Sequence, residues 1–303
     1  MINMFNRALL IACLMIPMAA MAQVCLVSKG KQQGRIVLVE DNDVNRKAAT
    51  LLQRFVRETS GGELKIIATT KRAKNDVVIG EKTMEATDDG YVIDCSNGTL
   101  AIKSAGGKGA IYGVATLLEK LVGVDYLAKD FYTLTPSADI RIPKMHVAES
   151  PAFRFRQTFS YSNNDNTYRD WMRLHDHSEV FANDMWVHTF DRLLPSSVYG
   201  KAHPEYYSFI SGERRPGNHS QWCLSNPEIF EIVANRIDSI FKANPGRNTI
   251  SVSQNDGNDT YCQCPECKKV NEYEGSPAGC YIGFLNRLAE RFPDKQISTL
   301  AYL

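Results

Sequence analysis

Apolar positions along this chain recur with two periods, and the change from one to the other marks the elements. Residues 35–40 (RIVLVE) read as a strand, and residues 64–69 and 76–80 as two more, because short β-branched runs are bounded by turn residues. After Asp43 as a cap, Val44, Ala48, Leu51, Leu52 and Phe55 return at helical spacing until Gly61-Gly62. Residues 91–95 and 100–103 predict a hairpin across Ser96-Asn97-Gly98, where Asn-Gly supplies the positive φ of a tight turn. A second helix follows, with Ile111, Val114, Ala115, Leu118 and Leu121 on its buried side. These elements predict a small α+β layer.

Beyond residues 143–151 the pattern becomes an alternation. Residues 153–161 predict a strand, 168–175 a short helix, and 184–190 (DMWVHTF) a second strand. Asn226 and Pro227 open a helix carrying Ile229, Ile232, Val233, Ile237 and Ile240, which Asn244-Pro245-Gly246 stops. Residues 249–253 read as a third strand, Ser276-Pro277 starts another helix, and residues 297–303 read as a fourth strand. Four such units suit the first half of a (β/α)8 barrel. The expected organisation is a leader at 1–22, an α+β domain at 23–145 and an α/β, partial TIM-barrel-like domain at 146–303. A half barrel exposes open strand edges, so the chain is expected to be truncated after its fourth strand.

The first 22 residues add the compartment: Arg7 is a basic start, residues 8–18 are apolar, and Ala20-Met21-Ala22 is a cleavage pattern. A periplasmic or secreted protein follows, cleaved after Ala22. The apolar run is too short and too broken by Pro17 to span a bilayer, which needs roughly 20 apolar residues. Cys25 lacks the small residue expected just ahead of a lipidated cysteine. With 35 basic against 34 acidic residues, the net charge of +1 gives no field for nucleic acid or an anionic membrane and favours a neutral or mixed ligand.

Chemistry concentrates in the second region, since all six histidines and all three tryptophans fall between His146 and Trp222. The segment NTISVSQNDGNDTYCQCPEC (248–267) delivers Gln254, Asn255 and Asp256 at the end of an apolar strand. Parallel sheets and barrels present reactive groups at that end, so Asp256 is the candidate acid or base and the two amides are candidate ligand contacts. The alternative is that Asp256 caps a loop or binds a cation. His188 is placed to point to the same mouth, and His203 and Glu205 lie in a long loop of the kind that builds sites. Trp222, beside Gln221, is a candidate sugar platform, although aromatic side chains are more often core. Of the eight cysteines, Cys13 lies in the leader and seven remain. Cys262-x-Cys264-x-x-Cys267, with Cys280 downstream, is compatible with disulfides, which export favours, or with a zinc ion.

Two stretches carry a resemblance. The run GYVIDCSNGTLAIKSAGGKGAIYGVATLLEKLVGVDYL (90–127) resembles the end of the small α+β domain that precedes the catalytic barrel in β-hexosaminidases and α-glucuronidases. A dinucleotide fingerprint fits GGKGAIYG poorly. The stretches PAFRFRQTF, HPEYYSFISGERR, QWCLSNPEIFEIV and SVSQNDGNDTYCQCPEC resemble bacterial proteins that carry the domain of unknown function DUF4838 behind such a domain. The resemblance implies a glycoside-hydrolase-like barrel with a carbohydrate substrate and no cofactor, and it implies that Arg156 holds sugar hydroxyls, for which an ion pair is the alternative. Glycoside hydrolysis needs a second carboxylate; Glu205, Asp191 and Asp259 are available. A carbohydrate-binding protein without turnover is the alternative function. The absence of an H-E-x-x-H motif speaks against a zinc peptidase.

Overall fold

Alternation within the strands, and one apolar stripe on each helix, account for the first of two units into which the chain divides, between His175 and Asp176. The computed structural model describes residues 22–257 and 260–301. The expected leader therefore lies outside the described residues, apart from Ala22.

Unit 1 contains β1 (Ala22–Ser28), β2 (Lys31–Gln32), β3 (Arg35–Leu38), α1 (Asp43–Ser60), β4 (Lys65–Ala68), β5 (Val77–Lys82), β6 (Tyr91–Ser96) and β7 (Thr99–Ser104). It continues through α2 (Gly109–Leu117), β8 (Val124–Ala128), β9 (Phe131–Leu134), β10 (Ile140–Pro143), β11 (Met145–Glu149) and α3 (Asn166–Trp171). A six-stranded sheet runs β11-β6-β7-β5-β3-β4, with a smaller β10-β1-β2 sheet and a β8-β9 ribbon. β3, β4, β5 and β7 pair in parallel, while β6 pairs antiparallel with β7 and β11. Ile36 and Leu38, Val77 and Ile79, and Leu100 and Ile102 are alternate positions, and all join one apolar cluster with α1 and α2. Asn42, one residue before the expected cap, accepts the Asn45 N–H at the start of α1. The hairpin turns at Asn97 and Gly98 with φ of 49° and 77°, as its sequence predicts. Gly109 opens α2 where a Cβ would lie 2.2 Å from the Gly90 carbonyl oxygen, so no larger residue fits.

Unit 2 holds α4 (Phe190–Leu193), α5 (Ser196–Tyr199), β12 (Phe209–Ile210), β13 (Glu213–Arg214), α6 (Pro227–Ala243), β14 (Thr249–Ser251), α7 (Pro265–Glu274), α8 (Gly279–Arg291) and β15 (Gln296–Ser298). α6 and α8 lie where the apolar spacing puts them, and α7 starts at Pro265 directly behind the cysteine run. β14 and β15 pair in parallel in register Thr249–Gln296. Among the described residues no closed barrel forms.

Two expected strands are absent. Residues 153–161 form no ladder, and residues 184–190 are broken by positive φ at Asp184 (57°) and His188 (49°), which an extended strand does not allow. Phe153 and Phe159 of the first are exposed, at 73% and 93%, whereas Met185 and Phe190 of the second are buried at 1% exposure each. Hydrophobicity in the second reports the core and not a strand. The expected fourth strand is limited to Gln296–Ser298, and the helix expected at 168–175 to Asn166–Trp171.

Candidate functional site

β14 ends at Ser251, and the chain beyond it is held by side-chain and backbone bonds together. The Thr189 hydroxyl donates to the Ser251 carbonyl at 2.8 Å and accepts the Ser253 N–H at 3.0 Å, while the backbone N–H groups of Thr189 and Phe190 donate to the Ser253 carbonyl. The chain then emerges at Gln254. Asn255 is buried and fully engaged: its N–H donates to Gln221 Oε1 at 2.9 Å, its side-chain amide to the Ser220 carbonyl at 2.7 Å, and its Oδ1 accepts the Asp191 N–H at 3.1 Å. Gln221 returns a bond to the Asn255 carbonyl at 2.8 Å and reaches Thr260 Oγ1 at 3.0 Å. This amide clasp turns the next side chain outward. Asp256 is exposed.

The clasp borders a cavity of about 550 Å³ within unit 2. Gln221, Trp222, Gln254, Gly257, Tyr261 and Tyr281 are among its walls. Asp256 itself does not line it; Gln254 and Gly257 do. Trp222 is 1% exposed and lies flat on Phe190, ring centroids 3.6 Å apart and planes 4° apart, with Phe284 edge-on at 5.9 Å. Phe190 thus covers one face of the indole inside the core. Its indole Nε1–H is buried without an acceptor among the described residues. Tyr281 donates to the Val252 carbonyl at 2.8 Å, fixing the cavity wall to the chain beyond β14.

The other expected site residues divide by location. His188 sits beside the emerging chain, its Nδ1 at 2.9 Å from the Gln254 carbonyl. His203 pairs with Glu205 at 3.0 Å and stacks on Tyr206 at 4.6 Å, so these two polar groups engage each other on an exposed loop. A hydrogen bond from its own backbone N–H, followed by the His203 contact, holds the Glu205 carboxyl below its ordinary range. Asp191 accepts the Ser196 N–H at 2.9 Å and so starts α5. Asp259 lies outside the described residues.

Arg156 belongs to unit 1, on a segment that forms no strand. Its guanidinium donates to the Arg173 carbonyl at 2.6 Å and to Asp89 Oδ2 at 2.9 Å, and lies over the Tyr112 ring. The Asp89 carboxylate also contacts His175 Nε2 at 2.9 Å and accepts the Lys108 backbone N–H at 2.9 Å. Burial opposes the Asp89 charge, but the bonds from His175, Lys108 and Arg156 together outweigh it and hold the carboxyl far below its ordinary range. The ion-pair alternative describes Arg156, whose donors are consumed internally.

Among the described cysteines none is in a disulfide. Four sulfurs, of Cys223, Cys262, Cys264 and Cys267, lie within 4.8 Å of one another and all four residues are buried. Cys280 instead directs its thiol to the Cys267 carbonyl at 3.4 Å. The sequence spacing identified three of the four ligand-type residues and took its fourth from the wrong side. Cys223, 39 positions before Cys262, carries no local signal.

The model of the domain of unknown function DUF4838 matches residues 126–303, and that of glycosyl hydrolase family 20, domain 2, matches residues 28–149. No curated protein matches the sequence. Among solved structures, the chitobiase of Flavobacterium johnsoniae is similar at 13% identity over 91% of this chain and 50% of its own, with a TM-score of 0.48. The β-N-acetylhexosaminidase of Streptomyces coelicolor A3(2) is similar at 13% identity over 91% of this chain and 63% of its own, TM-score 0.49. A family GH115 4-O-methyl-α-glucuronidase is similar at 12% identity over 89% of this chain and 41% of its own, TM-score 0.48. The chain thus spans 41% to 63% of the length of these three proteins.

Proposed function

We propose, from the premise that this chain belongs to the family of the domain of unknown function DUF4838, that it is an exported glycoside hydrolase. It cleaves an O-glycosyl bond of a polysaccharide or oligosaccharide by carboxylate acid/base catalysis. The match of residues 28–149 to a glycosyl hydrolase domain supports the class of substrate. The observation that carries the reading is the amide clasp of Gln221 and Asn255, which fixes the chain at the rim of a 550 Å³ cavity and turns the Asp256 carboxyl outward. A carboxyl group so placed can protonate a leaving glycosidic oxygen, and an aromatic wall suits the apolar face of a sugar.

One observation favours a second reading, a carbohydrate-binding protein without turnover. No Asp or Glu is among the described residues that line the cavity, and both hydrolytic geometries need two carboxyl groups roughly 5 to 10 Å apart.

A chromogenic-glycoside screen paired with a glycan array, on the wild type and on Asp256→Asn, separates the two. Turnover that disappears in the variant while glycan binding persists supports the acid/base role. Unchanged turnover removes Asp256 from the mechanism, and binding without turnover in the wild type establishes the second reading.

A further inference from the structure

The four clustered sulfurs have a geometry that neither the sequence spacing nor the family description assigns. We propose that Cys223, Cys262, Cys264 and Cys267 bind one structural Zn²⁺ ion, which staples the segment around Trp222 to the start of α7 and so holds one wall of the cavity.

Distance is the first argument. A tetrahedral zinc with Zn–S bonds of about 2.3 Å places its sulfurs about 3.8 Å from one another. Cys223 and Cys264 are 3.6 Å apart, and all four sulfurs fall within 4.8 Å of one another. A disulfide joins sulfurs at about 2.05 Å and selects pairs. Here the four converge on a common centre.

Local sequence supplies the second argument. Cys262 and Cys264 precede Pro265, which opens α7, and Cys267 lies in the first turn. The helix thereby directs its N-terminal partial positive charge toward sulfurs that must be thiolates to bind metal. The fourth ligand arrives from far away in the chain: the Cys223 N–H donates to the Tyr206 carbonyl at 2.8 Å, beside the Tyr207–Trp222 bridge.

The surroundings supply the third. Four thiolates and one Zn²⁺ leave two negative charges, which need donors nearby. The Phe209 backbone N–H lies 3.3 Å from Cys262 Sγ, Arg214 Nη1 lies 3.8 Å from the same sulfur, and the Ser225 hydroxyl lies 3.6 Å from Cys264 Sγ and 3.1 Å from Cys267 Sγ. These are the N–H, cationic and O–H donors that a tetrathiolate site requires. Cys280 remains outside the set.

Elemental analysis of the chain purified without chelator is expected to give one zinc per molecule. X-ray absorption at the zinc edge is expected to report four sulfur neighbours near 2.3 Å, and a mercurial titration to release the metal only as four thiols react. Cys280→Ser is expected to retain the zinc, and Cys223→Ser to lose it. Peptide mapping under non-reducing conditions that finds these cysteines in disulfides, with zinc absent, overturns the proposal. So does a metal retained by Cys223→Ser but lost from Cys280→Ser, or iron in place of zinc. The absorption and titration measurements use the wild type, so they decide the matter even where Cys223→Ser fails to fold. They are also independent of whether the cavity turns over a glycan.

Discussion

Replacing Asp89 by asparagine keeps the size of the side chain and removes the charge on which three donors of unit 1 converge. Arg156 Nη2, His175 Nε2 and the Lys108 N–H each lie 2.9 Å from the carboxylate, whose side chain is 13% exposed. Removing one partner of a mostly buried ion pair costs about 3–5 kcal/mol, and the amide oxygen retains part of the hydrogen bonding, so about 3 kcal/mol is expected. For a unit of this size that corresponds to a fall of roughly 6–12 °C in Tm. Because the folded Asp89 carboxyl titrates below its unfolded value, its contribution is complete above the unfolded pKa of about 4 and is lost as pH falls toward the folded pKa. The gap between wild type and variant should therefore narrow by about 1 kcal/mol between pH 4 and pH 3. Calorimetry at several pH values measures the gap, and hydrogen exchange over β6, β7 and α2 shows whether the loss resides in unit 1. An unchanged Tm at pH 7, or a gap that does not vary with pH, refutes the electrostatic account of Arg156 and returns its guanidinium to ligand binding.

Two further outcomes follow from unit 2. Trp222→Ala removes a ring stacked at 3.6 Å in the core, and about 3–5 kcal/mol of stability should be lost; urea unfolding checks this, and reduced glycan affinity at an unchanged midpoint would show that the indole is a ligand platform instead. Asn255→Ala leaves the Ser220 carbonyl and the Asp191 N–H without their partner, at a cost of about 2–3 kcal/mol. The chain after residue 253 should then be cleaved faster in limited proteolysis, and an unchanged cleavage rate would show that the clasp does not hold it.

Much of unit 1 was legible because its signals are local. The Asn97-Gly98 turn, the alternation in β3, β5 and β7, and the Gly109 start of α2 each depend on a few neighbouring residues. Strands β1, β2 and β8 to β11 were missed; all but β11 lie outside the six-stranded sheet, in the small β10-β1-β2 sheet and the β8-β9 ribbon. In unit 2 the same reasoning succeeded for α6 and α8, whose apolar stripes are long, and failed at residues 184–190, where burial without a ladder produces the same run of apolar letters as a strand.

The sequence by itself determined where helices start and stop, which stretches are apolar enough to be core, and that three closely spaced cysteines share one turn of chain. It also placed Gln254, Asn255 and Asp256 behind an apolar strand. Only the tertiary structure decided that Asn255 and Trp222 are buried, that Arg156 pairs with Asp89, and that Cys223 and not Cys280 lies within the sulfur cluster. Helix caps and turns are set by neighbours a few residues apart, so their chemistry is written locally. The partner of a buried charge, amide or thiol is chosen by the path of the whole chain, over 67 positions for Asp89 and Arg156 and 34 for Gln221 and Asn255, and no local pattern records it.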